Sequence, residues 1–393
     1  MAGQGFEREG AAAGAGAASG VRGAGAAASV QGAAVAGGAA TPAAGATAAE
    51  ASGATAGTPA ATPADPRRVA VIDIGTVTCR LGVADVADGH VLRCAKTSTI
   101  CNLGEGVAET GRLASDAIAR VLACVDQSLA QARAAGAPVA TCTLTSAARD
   151  AHNAEDLLGG LRLRGVVPQV IPGEVEGSLT FLGVAQDFPG KRIMVADNGG
   201  GSTEIAVGTL GAEGLTMEAV RSLNVGCRRV TDLFLSREDP PTADDLEQAR
   251  AFCREAFESG LPEAARVPRR PDVLVCVGGT VTTLVAIAAE LDPYDPSFVH
   301  LHELPLSEVD ALADRMAALP LAQRRELKGL QAKRAGVIVA GAVCVGELMR
   351  ACGVTSLTVS ESDLLFGLAI AADAQVRGMR PPVGWRPQLF SLR

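Results

Sequence analysis

VADNGGGSTEIAV, residues 195–207, is an apolar run that ends in Asp197, breaks at three glycines and resumes through the hydroxyl pair Ser202 and Thr203. Contiguous glycines cannot continue a strand; they favour a tight turn and leave backbone N–H groups uncovered. Amides that point into one concavity, with two hydroxyls beside them, suit a phosphate, and the neighbouring carboxylate suits a Mg²⁺ ion carried by that phosphate. Residues 203–207, after the glycines, alternate like a strand and not like a helix, so the turn differs from the dinucleotide-binding fingerprint and implies a β-hairpin loop.

The same unit occurs earlier. Val71–Val83, VIDIGTVTCRLGV, aligns with Val195–Val207 without a gap; Asp73 and Asp197, like Gly75 and Gly199, are 124 positions apart (197 − 73). A strand–turn–strand unit repeated at this distance indicates a duplicated domain, with an aspartate and a phosphate-holding turn at the same end of each sheet. Two copies facing each other form a cleft, the default place for a ligand.

Between and after the repeats, apolar periodicity alternates strand with helix. Val139–Thr145 reads as a strand, and Arg149 falls just after its end, where α/β sheets place functional groups. Glu174 and Glu176 open a helix after Pro172 and Gly173. Acidic residues in a first turn oppose the helix dipole in any case; the sharper reading is a carboxylate between two halves, facing a cleft, acting as general base toward water. Val273–Val277 runs into Gly278, Gly279 and Thr280 ahead of a helix, a third turn able to hold phosphate. Ser307 with Asp310 reads as a helix cap. Arg324, Arg325, Lys328, Lys333 and Arg334 form a late basic cluster, read either as a solvated face or as a landing strip for a polyanion.

Composition narrows the classes. The chain has 393 residues, 48% of them hydrophobic, enough for two ordinary domains. Residues 1–66 are an Ala/Gly/Thr/Pro tract with almost no large apolar side chains; disorder is expected, and no secretory signal pattern stands out. No apolar run is long enough to span a bilayer, so no membrane partner is expected. Ten cysteines occur singly, without a C-x-x-C pair, which favours buried reduced thiols and a cytoplasmic location over disulfides or zinc. A net charge of −8 argues against general nucleic-acid binding.

Seven segments in order carry a resemblance: VIDIGTVTCRL, LTSAARDAHNAEDLL, VIPGEVEGSLTFLGV, VADNGGGSTEI, VGCRRVTDLFL, VCVGGTVTTL, and LKGLQAKRAGVIVAGA with VSESDLLFGLA. Across about 69–368 the chain resembles the exopolyphosphatase / guanosine pentaphosphate phosphohydrolase family, whose short members share the actin-like, ribonuclease H-like ATPase fold. The resemblance implies an α/β protein of two duplicated actin-like domains flanking an interdomain cleft. Residues 67–188 would form the first and 189–377 the second, with the last helix free to pack back on the first and 378–393 a loose tail.

The same resemblance implies the roles. Glu176 would be the catalytic carboxylate and Arg149 the phosphate-contacting arginine. Gly75, Thr76, Thr78, Gly199, Gly200, Gly201, Ser202, Gly278, Gly279 and Thr280 would bind substrate phosphate. Asp73, Asp197 and Glu204 would hold Mg²⁺, with Mn²⁺ as an alternative. The substrate would be polyphosphate or guanosine pentaphosphate, and a homodimer stays open. Val77 stands where family members carry a polar residue, Ser178 where arginine is frequent, Val175 where an acid is usual, and Asn198 where an apolar residue is usual. These departures support a second reading, a catalytically weak polyphosphate- or alarmone-binding regulator; a kinase of the same fold is a third.

Overall fold

The computed structural model describes residues 65–393 together with the strand Ala34–Ala36. Two mixed sheets carry the chain. The strands are β1 (Ala34–Ala36), β2 (Arg67–Ile74), β3 (Thr78–Ala87), β4 (His90–Ile100), β5 (Val139–Leu144), β6 (Pro168–Val170), β7 (Arg192–Asn198), β8 (Thr203–Gly211), β9 (Gly214–Leu223), β10 (Leu274–Val277), β11 (Glu303–Pro305), β12 (Ser356–Val359) and β13 (Phe390–Ser391). The first sheet has the order β1-β4-β3-β2-β5-β13, with β6 also on β5; the second has β11-β12-β10-β7-β8-β9.

The duplication is visible in register. In each half a hairpin-linked meander, β2-β3-β4 or β7-β8-β9, pairs antiparallel, and its first strand pairs in parallel with β5 or β10. Asp73 lies opposite Arg80 and Asp197 opposite Glu204, the same pairing 124 residues on (197 − 73). The central strands are buried along their apolar runs, Val69–Ile74 and Ile193–Asn198, because helices cover both faces.

Helices Ser115–Ala134 and Ala154–Arg162 close the outer face of the first sheet over Ile72, Leu81 and Leu144. Helices Ala243–Gly260, Gly279–Ala288 and Ile338–Cys352 close the outer face of the second over Met194, Ile205 and Cys276. Between the sheets, helix Gly173–Ala185 sends Leu179 and Leu182 toward the first core and Phe181 and Val184 toward the second. Helix Leu364–Val376 packs beside it, on β2 and β3. The two helices cross with backbones nearly touching. A Cβ on Gly367 would lie 1.8 Å from the Leu179 carbonyl oxygen, and one on Gly183 would lie 2.3 Å from that of Asp363. Only glycine fits at this crossing.

Three expectations change. The tail expected to be loose, 378–393, ends in β13, whose Phe390 and Leu392 are buried in the first core; Leu392 N donates to the Pro138 carbonyl at 3.1 Å. Two apolar side chains and an unfilled edge of β5 suffice to pin it. The helix expected from Ser307 starts at Leu306 after Pro305, without a side-chain cap, whereas Thr242 and Asp245 form a full capping box further upstream. Finally, Ala34–Ala36 pairs with β4 inside the tract expected to be disordered, its backbone meeting the open edge of that strand. The rest of residues 1–64 lies outside the described residues. All ten cysteines are free and buried. No helix among the described residues is long and apolar enough to cross a membrane.

Candidate active site

Both hairpin turns close on one hydrogen bond used twice. Gly75 N donates to the Thr78 carbonyl at 2.8 Å, and Gly199 N to the Ser202 carbonyl at 3.0 Å. In the second loop the carbonyls turn away from the cleft. Gly199 O accepts from Cys227 N at 3.0 Å, and Gly200 O from Arg228 N at 2.8 Å and Arg229 N at 3.0 Å. The amides of Gly200, Gly201 and Ser202 meet no protein acceptor among the described residues. This leaves a nest of donors facing the space between the two hairpins.

That space is a narrow cavity of about 60 Å³. Gly75, Thr76 and Thr78 line one wall, Gly199–Ser202 the facing wall, and Gly278, Gly279 and Thr280 the third, so all the expected phosphate loops converge. Gly278 turns at φ 102°, with its Cα facing Asn198 and Asp197, and starts helix Gly279–Ala288. Asp73, Asp197 and Glu176 supply the carboxylates of the lining.

Glu176 sits in the first turn of helix Gly173–Ala185, and its side chain is held by Arg149, whose Nη1 donates to Oε2 at 2.8 Å and to the Ile171 carbonyl at 2.9 Å. Nη2 of the same arginine donates to Ser202 Oγ at 3.3 Å and stands 3.6 Å from Glu204 Oε1. Arg149 therefore ties Glu176, the second loop and a buried acid together. Burial raises the Glu176 carboxyl well above its usual range and Glu204 raises it further, while Arg149 pulls it down.

Two of the three expected metal ligands line the cavity. Asp73 accepts Arg80 Nη2 at 2.7 Å and Nε at 3.0 Å on Oδ2, while its buried Oδ1 has no partner. Asp197 accepts from Thr180 Oγ1 at 3.2 Å, and burial first, then Asp363 and Asp73, against the pull of Arg80, leave its carboxyl at about 6. Both line the cavity, and an orphaned buried oxygen beside a second carboxylate fits Mg²⁺ that takes its remaining ligands from phosphate and water. Glu204 is not part of that lining. It accepts from Ser222 Oγ at 2.7 Å beside Arg149, and burial with the charge of Asp197 raises it to about 7. Its strand position opposite Asp197 puts both side chains on the same face of the sheet, which is why the charge of Asp197 acts on it. Among the described residues no group of three or more acidic, histidine or cysteine side chains gathers as a metal cage.

Arg80 and Arg334 line the cavity and were not read as site residues from the sequence. Arg80 bridges Asp73 to Asp363 Oδ2 at 3.0 Å, and its place opposite Asp73 in the first repeat was the signal available. Arg334 lies over Gly279, buried, with Nε unpartnered. The late basic cluster thus divides. Arg334 reaches the cavity, Arg324 is buried on the carbonyls of Met316, Leu319 and Ala335, and Arg325, Lys328 and Lys333 are exposed. The two departures at the loops have structural accounts. Val77 is buried against Cys227 and Val337, joining the first loop to the second half, and Ser178 Oγ donates to its own helix at the Glu174 carbonyl, 2.6 Å away.

The sequence matches the family model described as the Ppx/GppA phosphatase family over residues 82–370. It is 35% identical over 321 residues to exopolyphosphatase 2 of Mycobacterium tuberculosis, covering 77% of this chain and 98% of that protein. Exopolyphosphatase 1 of the same organism is 30% identical over 312 residues, covering 77% of this chain and 87% of that one. Among solved structures, the Aquifex aeolicus Ppx/GppA family member aligns with a TM-score of 0.65 at 30% identity, over 79% of this chain and 99% of that one. An exopolyphosphatase-like protein aligns with a TM-score of 0.71 at 30% identity, over 78% and 98%.

Proposed function

The chain belongs to the Ppx/GppA phosphatase family, hydrolases of phosphoanhydride bonds, and from that premise we propose that it removes terminal orthophosphate from inorganic polyphosphate in the cytoplasm. The observation that carries the proposal is Glu176, held by Arg149 on the lining of a cavity whose opposite wall is a nest of unpartnered amides. Its two halves would be the domains 67–188 and 189–377.

A terminal phosphoryl group enters the narrow cavity end-on and is received by the amides of Gly200, Gly201 and Ser202 and the hydroxyls of Thr76, Thr78 and Thr280. Glu176 Oε orients a water in line with the terminal phosphorus and takes its proton as the P–O bond to the leaving chain breaks. A carboxyl raised by burial is a stronger base than a free one, and Arg149 keeps enough of it ionised to act. Arg334 faces the same space and offers a cation to the leaving phosphate. Asp73 and Asp197 would hold Mg²⁺ or Mn²⁺, which would supply charge neutralisation when bound.

Guanosine pentaphosphate ends in the same anhydride and is the second substrate of the proposal. Phosphate release from both, by the full chain and by Glu176→Gln, tests it. Release from polyphosphate that collapses in the variant supports the reading. Equal turnover by the variant removes Glu176 from the mechanism, and tight binding of polyphosphate without turnover by the parent chain establishes the regulator reading instead.

A further inference from the structure

A second, much larger cavity of about 880 Å³ opens at the far end of the two sheets, a volume ordinary for a small-molecule site. It lies where the β3–β4 and β8–β9 turns, the ends of both crossing helices and the C-terminal segment meet. The ten residues of β3 separate it from the phosphate loops by roughly 30 Å. Its walls include Leu182 and Ile370 from the two helices and Leu210 and Leu215 from the second hairpin. Its rim carries Arg380 and His90, neither of which has an ion-pair or hydrogen-bond partner among the described residues, while Asp88 on the same rim is already engaged.

We propose that this cavity is an effector site for a small organic anion with an apolar body, its body on the four aliphatic side chains and its anionic group on Arg380. The charge argument is direct. An arginine with no carboxylate partner among the described residues can receive one, or a sulfonate or phosphate, and Arg380 stands on the same cavity as those four aliphatic side chains. The effector role follows from connectivity. Helix Gly173–Ala185 carries Glu176 in its first turn and Leu182 near its last, and helix Leu364–Val376 follows Asp363, the partner of Arg80, and carries Ile370. Each helix thus has one end on the phosphate cavity and a later turn on this one. Their near-contact at Gly183 and Gly367 makes them move as a pair.

The chain's one tryptophan, Trp385, adjoins Gly384 of the lining and serves as reporter. The full chain is titrated with 8-anilinonaphthalene-1-sulfonate, following energy transfer from Trp385, in the presence and absence of tripolyphosphate, and amide exchange is recorded with and without the dye. Saturable binding of one dye per chain is expected, unaffected by tripolyphosphate, weakened about tenfold or more by Arg380→Glu, and accompanied by altered exchange around Glu176. Arg380 is exposed, so this variant keeps its fold, which circular dichroism verifies. Binding that tripolyphosphate displaces, binding indifferent to Arg380→Glu, no saturable binding, or exchange unchanged around Glu176 would each overturn the assignment. None of these binding readouts depends on phosphate release, so they stand apart from the hydrolase reading.

Discussion

Arg80 stands opposite Asp73 at the register position that Glu204 holds opposite Asp197. Duplication gave both halves the same hairpin and aspartate, and this one position then diverged in charge. The first half neutralises its aspartate with its own arginine, whereas the second sets another acid opposite its aspartate and borrows Arg149 from the first half for it. The two walls of the cavity are therefore equal in backbone and unequal in electrostatics.

Removing Arg80 tests how much that neutralisation stabilises the chain. Arg80→Met leaves Asp73 buried with neither oxygen partnered, and breaking such a pair costs about 3–5 kcal/mol. Urea denaturation of the single variant and of Arg80→Met combined with Asp73→Asn should show the double variant recovering a large part of the loss.

Arg149→Met is expected to move the acid limb of the pH–rate profile upward. Arg149 lowers the Glu176 carboxyl against the larger effect of burial, so its loss leaves the base protonated to higher pH. A cation this close is worth roughly 1–3 pH units. The profile of kcat/KM from pH 5 to 10 reads the shift directly, and an unmoved limb would separate Arg149 from the ionisation of Glu176.

Stability should fall as pH rises through the range where the buried acids of the second half ionise. Asp197 titrates at about 6 and Glu204 at about 7, both raised chiefly by burial. A raised pKa means that the folded chain holds the proton more tightly than the unfolded one. The resulting stabilisation is complete below about pH 4 and is lost as pH passes 6 and then 7. Glu204→Gln removes one such proton and should flatten the slope between pH 5 and 7 by up to about 1.4 kcal/mol per pH unit, measured by chemical denaturation at closely spaced pH values.

Gly367→Ala should cost at least about 3 kcal/mol, the upper end for overpacking, since its Cβ would enter the Leu179 carbonyl at 1.8 Å and backbone cannot rotate away. Gly159→Ala, inside a helix with open space around the new methyl, serves as the comparison for a glycine outside the crossing, and thermal or urea unfolding of the pair reads the difference.

The fold was legible because its carriers are local. A buried strand, a glycine turn and a returning strand are contiguous in sequence, so the copy at Asp73 can be laid on the copy at Asp197 without knowing what they pack against. The loops at Gly75, Gly199 and Gly278 were legible for the same reason. The features that escaped depend on distant partners. Arg80 meets Asp363 across 283 positions, and β13 is two residues long, paired with a strand some 250 residues earlier. The partners of Glu204 escaped too. An acid beside phosphate loops reads as a ligand, and only the third dimension shows Ser222 and Arg149 already engaging it. In the basic cluster, Arg324 and Arg334 differ from their neighbours solely in which way the chain turns.

The crossing at Gly183 and Gly367 gives the helix of Glu176 a lever arm. Glu176 lies seven residues from Gly183 (183 − 176), about 10 Å along the helix axis. With no side chain between the helices their backbones meet directly, so no rotamer change can absorb a rotation before it passes from one to the other. A turn of roughly 5° would carry the carboxylate about 1 Å, a displacement that can cost a hundredfold in rate. The two glycines of the crossing thus couple the position of Glu176 to a backbone contact about 10 Å away along its helix.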